Sequence, residues 1–184
     1  MPPPIPVILS DYDREWPKTA EALSAGLTRL GPQLLCVHHI GSTAVPGLCA
    51  KPVIDLMPIV TSVELLDRER QQVEPLGFEW HGELGIEGRR YCTLTSLDGA
   101  RVAQLHFFSV GSPHIERHLA FRDYLRTFPD SAAAYAAEKK RARALHPNDS
   151  HAYSDENAKW VRVEEVKAMA WLAKKCTAVG SNGP

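Results

Sequence analysis

Long hydrophobic runs, paired cysteines and an excess of one charge are all missing from this 184-residue sequence. No apolar stretch approaches the roughly 18 residues that a membrane helix needs, so we expect no membrane partner. The net charge of −1 provides no general attraction to nucleic acid, and none is expected as a partner. Residues 1–10 contain several prolines and lack the basic start of a secretory signal. These absences predict a cytoplasmic protein.

The cysteines also lack the spacing of a redox or zinc motif. None of the four belongs to a C-x-x-C pair, which favours a reduced protein without disulfides. Cys36 and Cys92 fall inside apolar stretches, so we interpret both as small core residues. The hydrophobic fraction of 44% and the charged fraction of 23% are ordinary for a globular chain, and the length predicts one domain with its own core.

Hydrophobic spacing divides the chain into a mixed first half and a helical second half. Apolar residues recur at helical spacing over residues 13–30, and β-branched runs at 34–40 and 53–60 predict buried strands. Ser62 predicts the N-cap of a helix that ends near Gly77. The remaining predicted elements are strands at 78–83, 89–96 and 101–110, with Asp98-Gly99 as a hairpin turn, and helices at 114–128, 129–147 and 154–175.

This order of elements predicts an α+β fold, in which a mixed β-sheet with flanking helices is followed by a C-terminal helical half. The sequence contains no internal repeat and no linker long enough to divide it. We therefore predict a single domain over residues 11–175. A proline-rich arm at 1–10 precedes this domain, and a flexible tail at 176–184 follows it.

One carboxylate, Asp55, interrupts an otherwise apolar strand just after residues 41–53, a segment rich in glycine, serine and proline that we call the bend. A charge in such a strand is costly unless a partner balances it. Gly41-Ser42 begins the bend, where glycine lets backbone amides approach an anion, and Lys51 adds positive charge. Phosphate donors and a metal-binding carboxylate at one sheet end are what phosphoryl transfer requires. A structural loop with a hydrogen-bonded aspartate explains the same spacing.

Two stripes of side chains in the helical half supply further positive charge. Arginine side chains bind phosphate or carboxylate through two parallel hydrogen bonds. A solvated helix face held by salt bridges is the alternative interpretation. The stripes have the four-residue spacing of one helix face, and they consist of His118, Arg122 and Arg126, and of Tyr135, Lys139 and Arg143.

Two other patterns suggest chemistry that we do not expect. His114 and His118 are spaced like the histidines of a zinc-protease helix, but Glu116 stands one position later than that motif requires. Ser42 follows two histidines, which suggests a hydrolase, but it lacks the G-x-S-x-G pattern of a nucleophile elbow. We therefore predict neither a zinc protease nor a serine hydrolase.

The segment HIGSTAVPGLCAKPVIDLM resembles the signature of the GrpB family, which is assigned to the nucleotidyltransferase-like fold. The similarity continues through QLHFF, LAFRDYLRTFPDSAAAYAAEKK and AYSDENAKWV, and it covers roughly residues 11–175. By position, Gly41 and Ser42 match the Gly-Ser pair that holds a triphosphate, and Asp55 matches the first metal-binding acid. The second acid expected two residues later is replaced by Met57, and the nearest match to the third is His106.

The resemblance therefore implies a reduced set of site residues. Asp55, Ser42 and His106 are the implied catalytic residues, and Asp55 and His106 would hold Mg²⁺ or Mn²⁺. One carboxylate and one imidazole are a poor set of ligands for two Mg²⁺ ions, whereas a single metal held partly by the nucleotide, or a transition metal, is compatible with them. The implied phosphate- or substrate-binding residues are Gly41, Ser42, Lys51, Arg122, Arg126, Lys139 and Tyr153.

Three functions are compatible with these residues. The first is transfer of a nucleotidyl group from a nucleoside triphosphate to a small molecule with the help of a divalent metal. The second is a non-catalytic module that binds a nucleotide, a CoA-like molecule or another anion. The third is an ATP-dependent ligase that activates a carboxylate by adenylylation. The missing second acid favours the module, whereas Asp55 favours chemistry, because a site for anions alone should avoid a carboxylate.

Overall fold

A mixed β-sheet organises the computed structural model, which describes residues 4–180. Within that range five strands are hydrogen-bonded in the order β1-β2-β5-β4-β3; β2 and β5 run parallel, and the other neighbours are antiparallel. This sheet and the helices that follow it confirm the predicted α+β fold. The elements are β1 (Leu34–Ile40), β2 (Ile54–Val60), β3 (Phe78–Trp80), β4 (Arg89–Thr95), β5 (Arg101–Ser109), α1 (Trp16–Gly26), α2 (Val63–Arg68), α3 (Pro113–Thr127), α4 (Pro129–Leu145) and α5 (Ser150–Gly180).

Side chains alternate along each strand, so the sheet has two faces, and different elements cover them. On one face, Leu56 and Leu105 belong to the largest buried cluster, which also contains Trp16 of α1. On the other face, Met57 and Phe108 pack against apolar side chains of α3. Asp55 lies on this second face, two residues before Met57, at the end of the sheet where the bend begins. The fold therefore buries the apolar part of β2 and leaves its acidic start beside the bend.

Strand β1 lies at the edge of the sheet, which corrects one sequence-based prediction. Among the strands of residues 4–180, only β2 pairs with it, and the pairing is irregular between Leu34 and Cys36. Leu35 is 49% exposed and Cys36 is also exposed, so the first half of this strand is not buried and Cys36 is not a core residue. Cys92 is fully buried on the inner strand β4, as predicted. Hydrophobicity alone could not distinguish an edge strand from a central one.

The helix predicted over 62–77 is shorter than expected. Ser62 is confirmed as its N-cap, because its hydroxyl accepts a hydrogen bond from the Leu65 amide at 3.2 Å. The α-helix ends at Arg68, and short 3₁₀ turns continue the chain to Leu76. Pro75 lacks an amide hydrogen and disfavours helical geometry in the residue before it, so a regular helix cannot continue through this segment.

The last helix is longer than predicted at both ends. It begins at Ser150 rather than Ser154, because the Asp149 carboxylate accepts hydrogen bonds from the amides of His151 and Ala152, both at 3.0 Å. It continues to Gly180, so residues 176–180 of the predicted tail are helical, and residues 181–184 lie outside the described part of the chain. In the described range no helix, including this one, has the length and apolar character needed to cross a membrane.

The proline-rich arm packs against the domain over its described residues, from residue 4 onward. The Val7 amide donates to the Pro147 carbonyl at 2.8 Å, and Val7 is buried with Ala142 and Tyr153. Ser10 and Ala50 exchange two backbone hydrogen bonds, of 2.8 and 3.0 Å. The arm is thereby joined to the bend one residue before Lys51.

Candidate functional site

Gly41 and Asp55 meet where β1 and β2 pair. Ile40 is the Cα partner of Asp55, so the bend begins directly beside the carboxylate. Gly41 has a φ of +71°, which favours glycine, and a Cβ atom built on it would overlap Oδ2 of Asp55 and lie 3.1 Å from its Cβ and Cγ. The glycine is therefore needed both for its backbone conformation and for the space that the Asp55 carboxylate occupies. Ser42 and Asp55 lie at the same end of the sheet, as predicted.

A small cavity of about 110 Å³ opens beside this junction, and we call it the bend cavity. Because a water molecule occupies about 30 Å³ of liquid, this space holds a few waters or a group of similar size, such as a phosphate. Its walls come from the bend, from the strands β2 and β5, and from α4. The lining residues are Ser42, Thr43, Ala50, Lys51, Val53, Asp55, Gln104 and Lys139.

The structure brings two lysines to the bend cavity. Lys139 is only 4% exposed, and its Nζ lies 4.7 Å from the centre of the Tyr135 ring; Nζ of Lys51 lies 5.3 Å from that of Tyr153. Within the described residues, neither ammonium group has a carboxylate within 4.0 Å or a hydrogen-bond partner. Burial lowers the pKa of Lys51. The nearby Asp55 carboxylate partly offsets this decrease, and the positive charge of Lys139 adds to it. One buried and one partly buried cation without paired carboxylates favour an anionic ligand.

Asp55 has a histidine on its other side. Nε2 of His106 lies 3.4 Å from Oδ1 of Asp55, and its Nδ1 lies 3.4 Å from Nη1 of Arg89. His106 is on β5, two residues after Gln104, so both side chains lie on the face that carries Asp55. His106 therefore contacts the carboxylate but does not line the bend cavity.

The residues around Asp55 do not fit a resident pair of metal ions. The part of the chain that the structure describes contains no group of three or more His, Cys, Asp or Glu side chains that could hold a metal. Met57, at the position of the second acid, is fully buried in an apolar cluster and offers no oxygen. Mg²⁺ prefers six oxygen ligands, so a metal here would have to arrive already bound to substrate phosphates. In that case Asp55 would be the one carboxylate that the chain supplies.

The two arginines of α3 hold the bend in place. Nη1 of Arg122 donates to the His39 carbonyl at 3.1 Å, and its Nε donates to the Asp123 carboxylate at 2.7 Å. Nε of Arg126 donates to the Ala44 carbonyl at 2.9 Å. Neither arginine lines the bend cavity, so their contact with a phosphate remains a prediction. Their hydrogen bonds fix the backbone on both sides of Gly41.

Tyr153 also lies behind the cavity wall rather than in it. It is 2% exposed, and burial raises the pKa of its hydroxyl. Its ring supports the Lys51 ammonium group, which does line the cavity. Two polar lining residues, Thr43 and Gln104, were not identified from the sequence. The position of Gln104, two residues before His106 on the same strand, was the signal that could have identified it.

The histidines of α3 lie on the apolar side of the site. Nη2 of Arg117 lies 3.1 Å from Nε2 of His118, and the His114 ring stacks on Phe108 with centroids 5.2 Å apart. Because a guanidinium group can only donate, Nε2 of His118 must accept this hydrogen bond. That nitrogen therefore has no lone pair free for zinc while the pair is formed.

Acid should destabilise the protein through His118. Burial is the main cause, and the charge of Arg117 the second, that lowers the pKa of His118 to about 2. Below pH 6.5 the unfolded state therefore binds a proton at this histidine that the folded state does not bind. The stability that this histidine contributes is present above pH 6.5 and falls by about 1.4 kcal/mol per pH unit below it. Urea denaturation at pH 7.5, 6.0 and 5.0 should show a smaller pH slope for His118→Gln than for the unmodified protein. Equal slopes would contradict this prediction.

The known proteins that are similar to this chain point to a single protein family. The family model described as GrpB protein matches residues 6–166. The UPF0157 protein YqkA of Bacillus subtilis (strain 168) is 37% identical over 174 residues, which are 92% of this chain and 49% of that protein, so the chain spans about half the length of this relative. The crystal structure of GrpB from Enterococcus faecalis matches with a TM-score of 0.84 and 34% identity, covering 90% of this chain and 99% of that one.

A more distant structural match confirms the predicted fold. The crystal structure of the Cid1 poly(U) polymerase matches with a TM-score of 0.51 and 16% identity, covering 75% of this chain and 43% of that chain. At this identity the similarity concerns the fold alone, which is that of a nucleotidyltransferase. Because the family model covers most of the sequence and the GrpB crystal structure matches nearly end to end, this chain belongs to the GrpB protein family.

Proposed function

We propose that this chain binds the phosphates of a nucleoside triphosphate in the bend cavity and transfers its nucleotidyl group to a small molecule. The observation that carries the proposal is the meeting of Lys51, Lys139 and Asp55 around one small cavity. The two ammonium groups would neutralise phosphate oxygens, and amides of the bend would donate to them. Asp55 would bind the Mg²⁺ or Mn²⁺ ion that accompanies the nucleotide.

The charges of this site suit the products of such a transfer. In nucleotidyl transfer an acceptor oxygen bonds to the α-phosphorus, the bond to the bridging oxygen breaks, and pyrophosphate leaves. Negative charge then builds up on the leaving group, and catalysis consists largely of positioning and of stabilising that charge. The ammonium groups of Lys51 and Lys139 are held by the fold before any ligand arrives, so they would require little rearrangement.

A binding module without chemistry is the second candidate, and the burial of Met57 favours it. Met57 stands where a transferase of this fold would use a second acid to bind metal, and it packs in an apolar cluster. In such a module Lys51 and Lys139 would bind an anion, and metal would not be required. The two candidates therefore differ in whether metal strengthens binding and in whether pyrophosphate is released.

Ligand binding to the purified chain tests both candidates. Thermal shift and calorimetric titration with ATP, CTP, GTP and CoA, each with and without Mg²⁺ or Mn²⁺, should show stabilisation by at least one triphosphate that depends on metal. At a ligand concentration 100 times Kd, the expected gain in unfolding free energy is about 2.7 kcal/mol. Binding that is indifferent to metal would support the module. If no triphosphate stabilised the protein, the proposal would be rejected.

Replacing Asp55 by asparagine should separate metal-dependent binding from stability. The Asp55 side chain is 27% exposed, and within the described residues no lysine or arginine lies within 4.0 Å of it. We expect the free energy of unfolding of Asp55→Asn without ligand to change little, because no cation is close enough to lose a paired carboxylate and only the longer-range attraction to Lys51 is lost. Metal-dependent nucleotide binding should be lost. Melting temperatures and titrations decide this, and a large loss of stability with intact binding would make Asp55 a structural residue.

A further inference from the structure

Arg89 is a buried cation close to the site that the proposed function does not use. It is 7% exposed, and no carboxylate of the described residues lies within 4.0 Å of its guanidinium group. Nε donates to the Glu83 carbonyl at 3.2 Å, and Nη2 donates to the Leu84 carbonyl at 2.8 Å. The third contact, at 3.4 Å, joins Nη1 to Nδ1 of His106. An arginine buried in this way must satisfy its N–H groups with neutral acceptors.

The chemistry of arginine determines which nitrogen of His106 carries the hydrogen. A guanidinium group remains protonated in proteins and offers only donors. Nδ1 of His106 must therefore be the acceptor, since a hydrogen on it would face another hydrogen. A neutral imidazole with a lone pair on Nδ1 carries its hydrogen on Nε2. That nitrogen faces Oδ1 of Asp55 at 3.4 Å, so the contact is an N–H donating to a carboxylate.

We infer that Arg89 holds His106 in the Nε2–H tautomer, so that His106 positions Asp55 by a hydrogen bond instead of binding a metal. A histidine binds metal through a nitrogen lone pair. Here the only lone pair points to Arg89, away from Asp55. The carboxylate accepts from His106 at Oδ1, and its Oδ2 occupies the space that a side chain at position 41 would fill. Arg89 is a positioning residue that acts on the site through His106.

The same guanidinium group connects the site to the loop before β4. Its two carbonyl acceptors belong to Glu83 and Leu84, and Leu84 has a left-handed φ of 41°. Ile86, in this loop, packs with Phe108 and the apolar side of α3. A lysine at position 89 would offer a single ammonium group in place of the planar, three-way contact, so it should not replace arginine here.

The tautomer can be measured directly in the unmodified protein. Long-range ¹H–¹⁵N correlation spectra of the chain with labelled histidines, recorded at pH 8, distinguish the two neutral tautomers by their ring nitrogen shifts; His106→Gln identifies the signals. We expect His106 to be in the Nε2–H form and its shifts to be unchanged after one equivalent of Zn²⁺ is added. An Nδ1–H form, or a Zn²⁺-induced change in its Nε2 shift, would overturn the inference.

A matched pair of variants tests the part played by Arg89. In a protein that also carries Asp55→Ala, Arg89→Met should convert the His106 signals to a mixture of tautomers, because both the constraint on Nδ1 and the carboxylate that favours a hydrogen on Nε2 are gone. Arg90→Met is the control, since Arg90 is the next residue on β4 and pairs with Asp67 at 2.6 Å, away from His106. The same change in both variants, or in neither, would contradict a specific role of Arg89. No nucleotide is used, so these results do not depend on the proposed nucleotide binding.

Discussion

Replacing Lys139 by methionine is expected to abolish nucleotide binding and, at the same time, to raise the melting temperature of the ligand-free protein. Lys139 is almost completely buried beside the bend cavity without a paired carboxylate, and methionine fills a similar volume without charge. A buried charged group without a partner costs about 1–3 kcal/mol or more, so its removal should stabilise the ligand-free protein by a similar amount. Losing a buried charged contact to a ligand costs about 2–5 kcal/mol, a weakening of roughly 30- to 5,000-fold.

The neighbouring residue provides the control for this variant. Lys140 follows on the same helix and is exposed, so Lys140→Met should change both stability and binding little. Melting temperatures without ligand and calorimetric titrations with the best triphosphate compare the two variants. A Lys139→Met protein that bound nucleotide normally would remove the lysine pair from the site. A Lys139→Met protein that lost stability would show that the ammonium group has a structural partner.

Gly41→Ala should be the most destabilising single substitution in the bend, and Gly47→Ala is its matched control. Both glycines have positive φ angles, +71° and +79°, so both variants incur a cost of about 1–3 kcal/mol for an unfavourable backbone conformation. At Gly41 the ψ of −170° lies in a region almost restricted to glycine, which adds to the cost there. Only at Gly41 would the new methyl group also overlap the Asp55 carboxylate, whereas at Gly47 no atom of the described residues lies within 4 Å of such a group. We expect Gly41→Ala to lower the free energy of unfolding by about 2 kcal/mol more than Gly47→Ala.

A second substitution identifies the source of this difference. Asp55→Ala removes Oδ2, the atom nearest to the added methyl group, so combining it with Gly41→Ala should recover part of the lost stability. Chemical denaturation of the single and double variants measures the coupling. Equal losses for the two glycine variants, without recovery in the double variant, would show that Asp55 does not press against Gly41.

The sequence predicted the parts of the site that lie near one another in the chain or belong to a recognisable motif. The bend and Asp55 were predicted to meet because consecutive strands return to the same end of a sheet. Lys139 was found through its helical spacing. The position of β1 at the edge could not be predicted, since strand order depends on the later strands. Arg122 and Arg126 each donate to a backbone carbonyl of the bend or of the strand before it, and such acceptors leave no trace in the side-chain pattern.

Contacts that depend on the alignment of neighbouring strands could not be predicted from the sequence either. Gln104 faces Asp55 only because β5 pairs with β2 in one particular alignment, and a shift by one residue would turn its side chain to the other face. Arg89 was missed because a buried arginine that binds neutral acceptors has no charged partner to search for. The earlier start of α5 was also missed, because the capping hydrogen bonds of Asp149 are recognised only once the preceding turn is known.

The pairing of Ser10 with Ala50 changes where the domain should be considered to begin. The motifs suggested residue 11 as a boundary, yet the arm supplies hydrogen bonds to the residue that precedes Lys51 and covers the cluster behind Tyr153. A shortened protein that started at residue 11 would contain every motif of the site. It would lack the backbone hydrogen bonds that Ser10 makes to Ala50 in the wall of the bend cavity. Weak ligand binding by such a fragment would then reflect the missing arm, and it would carry no information about binding by a protein that includes residues 1–10.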